Sequence, residues 1–160
     1  MRSSRMASAI LAVVFMSAGL AACGTTPSSA SGTGGTQCGS GGQKVEVVVE
    51  LATKKVDESC VTFKGTGIPA ETAMKRGDFE FATKHFSFGD AICQIAHQPK
   101  DFTSCFASGQ PYWALFVWSG KGPWLAAQVG VSEVNLKPGD ALGWHYGSGT
   151  PGAPPKPPKV

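Results

Sequence analysis

The chain has 160 residues, only 16% of them charged, with seven Gly between 24 and 43 and five Pro between 147 and 160, so residues 44–146 must carry any core. That stretch holds eight of the nine Phe, all four Trp and both Tyr, enough apolar mass for one small core but not for a large two-domain enzyme, and too much for a core-less disordered chain. The net charge of +3 belongs to the ends: without Arg2, Arg5, Lys156 and Lys159 there are ten basic residues against eleven acidic ones, and Arg76 is the one remaining Arg, so the basic stripe that nucleic-acid binding needs is missing.

The chain starts Met1-Arg2-Ser3-Ser4-Arg5 and continues in a largely apolar run of 16 residues, Ala7 to Ala22. A permanent membrane helix needs roughly 20 residues, so the run suits a cleavable signal segment, residues 1–22. The segment ends Leu20-Ala21-Ala22-Cys23. This quartet resembles the bacterial lipobox, in which the cysteine thiol takes a diacylglyceryl group before cleavage in front of it. The resemblance implies a mature chain that begins at an acylated Cys23, anchored by two or three acyl chains on the extracytoplasmic face of the cell membrane. Residues 24–43, with seven Gly, four Ser and four Thr, read as a flexible tether reaching about 25 Å, or about 20 Å if Cys38 is bonded to the domain.

Five cysteines are an odd number, which lipidation of Cys23 would explain. Cys38, Cys60, Cys93 and Cys105 then remain and allow three pairings. The loop of 11 residues between Cys93 and Cys105 is short and polar enough to favour that bond, leaving Cys38 for Cys60. A metal site using Cys93 and His97 competes poorly, because no CxxC pair occurs and an exported compartment is oxidising.

In the core, Val45, Val47, Val49 and Leu51 alternate with Glu46 and Glu50, the period of a half-buried strand. Lys54 to Glu58 turns into a second strand, Ser59 to Lys64, and Gly65 and Gly67 break the pattern. Pro69 to Arg76 predicts the one helix, with Pro in the first turn, Glu71 early, Lys75 and Arg76 late, and Gly77 as its cap. Phe79 and Phe81 pair with Ala91 to Ala96 in a hairpin that turns over Phe86 to Asp90. Tyr112 to Trp118 is the strongest strand, followed by a turn at Gly120 to Pro123, short segments at Trp124 to Gln128 and Glu133 to Leu136, the turn Lys137-Pro138-Gly139-Asp140, and a last strand, Ala141 to Tyr146, expected at the centre of the sheet. The tail from 147 to 160 reads as extended, polyproline-like chain.

This order of elements predicts an α+β fold, a small β-grasp-like mixed sheet with one short helix. Val45 to Leu51, Ile92-Cys93-Gln94-Ile95, Tyr112-Trp113, Trp118, Trp124, Lys137-Pro138-Gly139-Asp140 and Gly143-Trp144 follow one another as in a known family. Over residues 44–146 the sequence resembles the domain similar to the C-terminal domain of transcobalamin, a relative of β-grasp ligand-binding modules. It departs from that family at Ala96-His97-Gln98, where a tight turn with glycine is common. The resemblance implies a small-molecule ligand, a corrinoid being the candidate, and a place beside a membrane importer. Transcobalamin buries its vitamin between two domains, and the resemblance extends to the smaller one alone.

Catalytic signatures are missing: no GxSxG, HExxH, P-loop or GxGxxG follows a strand, and no metal or cofactor is expected. The three His, at 85, 97 and 145, would need a nucleophile or a carboxylate to orient them, and Asp90, Asp101 and Asp140 all sit where turns want Asp. The informative feature is aromatic. Alternation sends Tyr112, Phe116 and Trp118 to one face of their strand and Trp113 to the other. Both sets could pack, one under the helix and one under the loop from Ser119 to Val131. Alternatively, Tyr112, Trp113, Trp118 and Trp124 form a ligand platform, most exposed at Trp118 and Trp124 beside the glycine-rich turn. The expected function is therefore a lipid-tethered, non-catalytic binding domain, with an envelope protein-interaction module as the alternative and an enzyme behind both.

Overall fold

The computed structural model describes Cys38 and residues 41–156; the signal segment, most of the tether including Cys23, and residues 157–160 lie outside the described residues. Strand β1 (Gln43–Glu50) forms a hairpin with β2 (Val56–Phe63), turning over Leu51 to Lys55. After the two-residue β3 (Ile68–Pro69) comes α1 (Ala70–Arg76), then the hairpin β4 (Phe81–Phe86) and β5 (Gly89–Ile95). Next are β6 (Tyr112–Trp118), β7 (Leu125–Ala126), a 3-10 turn at Val131–Glu133, β8 (Asn135–Leu136) and β9 (Ala141–Gly147). The main sheet has five strands in the order β2-β1-β9-β6-β7. β1 and β9, the first and last strands, lie side by side and parallel, and every other pairing in that sheet is antiparallel. With α1 across one face, this is a β-grasp-like α+β arrangement.

The helix is stopped by its own last turn. The Phe79 N–H donates to Met74 O at 3.1 Å and the Asp78 N–H to Lys75 O at 3.3 Å, the two bonds of a Schellman motif. Asp78, at φ 59°, takes the left-handed position, whereas Gly77 sits at φ −80°. Gly77 is favoured for a different reason: a Cβ there would stand 3.1 Å from the Phe79 ring, which folds back toward the core. At the other end Pro69 is the cap residue, and the first helical N–H, that of Ala70, reaches Val134 O at 2.9 Å. Ala70, Ala73 and Met74 then face a core made with Val45, Val47, Val49, Ile92, Trp113, Leu142 and Trp144. At Lys137-Pro138-Gly139-Asp140, Gly139 has φ 86° and the Asp140 N–H returns to Lys137 O at 3.0 Å, as a proline-glycine turn demands.

Cys38 is bonded to Cys60 and Cys93 to Cys105. The first bond fixes the end of the tether to β2; the second pins the loop after residue 96 beneath the β4–β5 hairpin.

Two sequence expectations are corrected. β1 is not half-buried: Glu46 is 1% exposed and Glu50 9%, because β1 lies between β2 and β9 and the second face of the sheet is roofed as well. Part of that roof is the tail, which is not simply extended in solvent. Pro154 is buried, and a Cβ added to Gly143 would meet Pro154 Cγ at 2.6 Å and Trp124 Cζ3 at 2.8 Å, so only glycine lets both approach the sheet.

The segment Ala96-His97 makes a tight turn without glycine. Ile95 and Gln98 exchange backbone hydrogen bonds of 3.0 and 2.8 Å around Ala96 and His97, at φ 48° and 59°, the two-residue geometry that favours Asn-Gly. An L-residue in this region costs about 1–2 kcal/mol, partly offset by the greater freedom glycine has in the unfolded chain. Ala96→Gly is therefore expected to stabilise the domain by about 0.5–1 kcal/mol, read from the urea midpoint; a destabilised variant would show that the turn relaxes differently.

Candidate functional site

The sheet separates the aromatic residues, but both sets are covered. On the face packed against α1, Trp113 and Trp144 are buried at 3% and 1% exposure, and Trp113 Nε1 donates to Gln98 O at 2.7 Å. On the other face Phe116 and Trp118 are buried as well. Trp118 Nε1 donates to Gly122 O at 3.0 Å, and its ring lies 6.4 Å from that of the half-buried Trp124, which rests on Gly143. The expectation that Trp118 and Trp124 are the most open rings is thus corrected. The turn from Gly120 to Pro123 folds back over Trp118, and Trp124 lies flat where the glycine of β9 leaves room.

The exposed rings are elsewhere. Phe88 is 41% and Phe106 43% exposed, and together with Phe86 and Tyr112 they form a continuous cluster. Phe86 stacks on Phe88 at 5.2 Å, Phe106 stands edge-on to Phe86 at 5.5 Å, and Tyr112 edge-on to Phe106 at 5.6 Å. Three elements position these rings. Phe88 sits at the tip of the β4–β5 hairpin, clamped by the Gly130 N–H donating to Phe88 O at 2.7 Å. Phe106 follows Cys105 and is held through its bond to Cys93. Tyr112 opens β6, and its hydroxyl donates to Gly149 O at 3.1 Å. Beside them lies a cavity of about 360 Å³, lined by Phe88, Phe106, Tyr112, Trp113, Gln128 and Val129 among others.

Of the four residues expected to bind a ligand, the structure brings Tyr112 and Trp113 to this cavity and leaves Trp118 and Trp124 outside it. Phe88 and Phe106 escaped the sequence reading, although each is a large ring at a loop or hairpin-tip position with no strand pattern to bury it.

Titratable groups fall into pairs. His85 Nδ1 lies 2.7 Å from Asp90 Oδ1, His97 Nε2 3.2 Å from Glu80 Oε2, and His145 Nδ1 2.8 Å from Glu50 Oε2. Burial alone would push Glu50 up, but hydrogen bonds and charge from His145 and Lys54 hold its carboxyl below the ordinary value. Glu46, two pleat repeats away on the same face of β1, has no such partner: both carboxylate oxygens are buried without a hydrogen bond among the described residues. Burial first, and the charge of Glu58 second, raise it to about 7. Among the described residues no group of three or more His, Cys, Asp or Glu is placed to hold a metal ion.

No protein-family model matches the chain, and no curated protein matches it. Among solved structures it is similar to a "putative metal binding protein" from Ruminococcus gnavus ATCC 29149, with a TM-score of 0.48 and 12% identity, over 67% of this chain and 98% of that one. At that level the likeness bears on neither site nor ligand.

Proposed function

We propose that the chain is a membrane-tethered, extracytoplasmic lipoprotein whose β-grasp-like domain is a non-catalytic small-molecule binding module. The observation that carries the binding role is the cavity beside Phe88, Phe106 and Tyr112, because exposed rings gathered around a concavity are what a ligand would cover. Two disulfides suit an oxidising compartment. The Leu20-Ala21-Ala22-Cys23 quartet supports the lipid anchor. No helix among the described residues is long and apolar enough to cross a membrane.

The transcobalamin-like order of motifs makes a corrinoid the first ligand to test. A cavity of about 360 Å³ is at the small end of the usual range, roughly 300–1,000 Å³, so it would seat an edge or side arm of so large a molecule. Trp113 and Trp144 line it and serve as reporters. Titrating the protein with cobalamin is expected to quench tryptophan fluorescence saturably; linear, non-saturating quenching would remove the corrinoid.

A protein partner is the second reading, favoured by Leu125 and Val129, which are 65% and 44% exposed on and beside the short edge strand β7. Leu125→Ala, at a position outside the cavity lining, would then abolish a partner interaction while leaving ligand titrations unchanged. For the anchor, Cys23→Ala is expected to abolish acylation and move the protein out of the membrane fraction, checked by fractionation and mass spectrometry of the N-terminus. A variant that still partitions with the membrane would count against the lipid.

A further inference from the structure

The cavity beside the exposed rings has a chemical character that narrows its ligand. Its lining contains Phe88, Phe106, Tyr112, Trp113 and Trp144, one carboxylate, Asp90, and no lysine, arginine or histidine. The walls are inclined to one another, Phe106 meeting Phe88 at 58° and Tyr112 at 65°, so they enclose space as a corner does instead of closing it as a stack. Aromatic ring faces carry negative potential, and a carboxylate adds a full negative charge. Asp90 is fixed in place: its backbone N–H donates to Ser132 Oγ at 2.9 Å, and its Oδ1 lies 2.7 Å from Nδ1 of His85, whose side chain is 83% exposed and stands outside the lining. A second carboxylate, Glu133, packs close to Gly89, its Cγ 2.9 Å from where a Cβ of that glycine would be.

We propose that this cavity binds a small organic cation, a methylated ammonium group held against Phe88, Phe106 and Tyr112 with Asp90 as its counter-charge. The inference rests on reading the cavity as the binding site. An anionic ligand would meet ring faces and a carboxylate of its own sign. A neutral apolar ligand would cover the rings but strip water from the Asp90 oxygen that His85 does not engage, without supplying a partner for it. A compact primary ammonium is strongly hydrated and leaves water at a cost. A methylated ammonium offers apolar surface to the rings and spreads its charge over that surface, so it satisfies both parts of the lining. A volume of about 360 Å³ accommodates such a head group with a short chain.

The test uses the full chain in maltoside micelles and compares choline with 3,3-dimethyl-1-butanol, a molecule of the same shape without the charge. Calorimetry is expected to show saturable choline binding, with the neutral compound roughly tenfold weaker or undetectable. Asp90→Asn, and independently Phe106→Leu at a 43% exposed position, should each weaken choline binding about five- to tenfold without moving the thermal midpoint. The Trp113 indole N–H resonance should shift on choline addition in the unaltered protein. Equal affinity for the two compounds overturns the cation while leaving the cavity a binding site. Choline binding that survives both substitutions places it elsewhere and overturns the proposal. Binding of neither compound also overturns it, and the cobalamin titration then decides the broader binding role separately.

Discussion

Trp144→Ala is expected to cost about 3–5 kcal/mol and to lower the thermal midpoint by about 15–30 °C. Trp144 is 1% exposed and lies on β9, the strand at the centre of the five-stranded sheet, where its ring packs in the main core. Truncation there removes the largest fully buried side chain from between the sheet and the elements packed on it. Those neighbours cannot collapse into the gap, because β9 is hydrogen-bonded on both sides, to β1 and β6. Small domains keep only about 5–15 kcal/mol of stability in total, so a large fraction would be lost. Phe106→Ala, at 43% exposure, is the matched control and should move the midpoint little. Similar losses at both positions would mean that the exposed cluster is as structural as the core. Trp118→Ala belongs with Trp144→Ala in direction, because Trp118 is only 8% exposed and its indole N–H is bonded to the turn over it.

The second large effect is a pH dependence centred on Glu46. With its carboxyl raised to about 7 in the folded protein against an ordinary 4.5, Glu46 favours folding only while protonated. Below about pH 4.5 both folded and unfolded chains hold that proton and no cost arises. Between 4.5 and 7 the unfolded chain ionises first, so stability falls as pH rises, and above 7 the full cost, about 3 kcal/mol, is in place. Glu50 has the opposite sign. Its lowered carboxyl gives stability that is present above the ordinary value and lost as pH falls through the folded one. Glu58, also raised by burial, adds to the Glu46 trend. Urea unfolding is therefore expected to show the protein less stable at pH 8 than at pH 5. Glu46→Gln, which cannot ionise, should recover about 2–3 kcal/mol at pH 8 and change little at pH 5. A pH trend unaltered by the substitution would place its origin in another group.

What was legible in the chain was local. Alternation at Val45, Val47 and Val49, the unbroken apolar run from Tyr112 to Trp118, the Pro69-to-Gly77 helix signals and the Lys137-Pro138-Gly139-Asp140 turn all map onto elements within a few residues. Such signals are readable because each rests on interactions between residues close in sequence: side-chain period, fixed φ, or a cap. The bond between Cys93 and Cys105 belongs to the same class, since a short loop between strand-like runs closes easily.

The candidate site was legible only in part. Tyr112 and Trp113 lie where an aromatic strand start suggested, but Phe88 and Phe106 reach the same cavity from a hairpin tip and a disulfide-held loop, 24 and 6 residues before Tyr112. No local pattern brings those rings together; the β4–β5 hairpin and the Cys93–Cys105 bond do.

By itself the sequence determined the class of fold, the order of its strands along the chain, the position of its helix and the apolar residues available for a core. Tertiary structure alone decided which faces those residues cover. Glu46 follows the alternation that normally points a carboxylate at water, yet β1 pairs on both edges and its second face is roofed, so the group is buried. Trp118 and Trp124 flank a glycine-rich turn that normally leaves side chains open, yet the turn carbonyl at Gly122 and the missing side chain at Gly143 draw both rings onto the sheet. The physical reason is the same in each case: period and propensity set the direction of a side chain relative to its own strand, whereas burial depends on what distant segments, here the loop after β6 and the proline tail, lay over it.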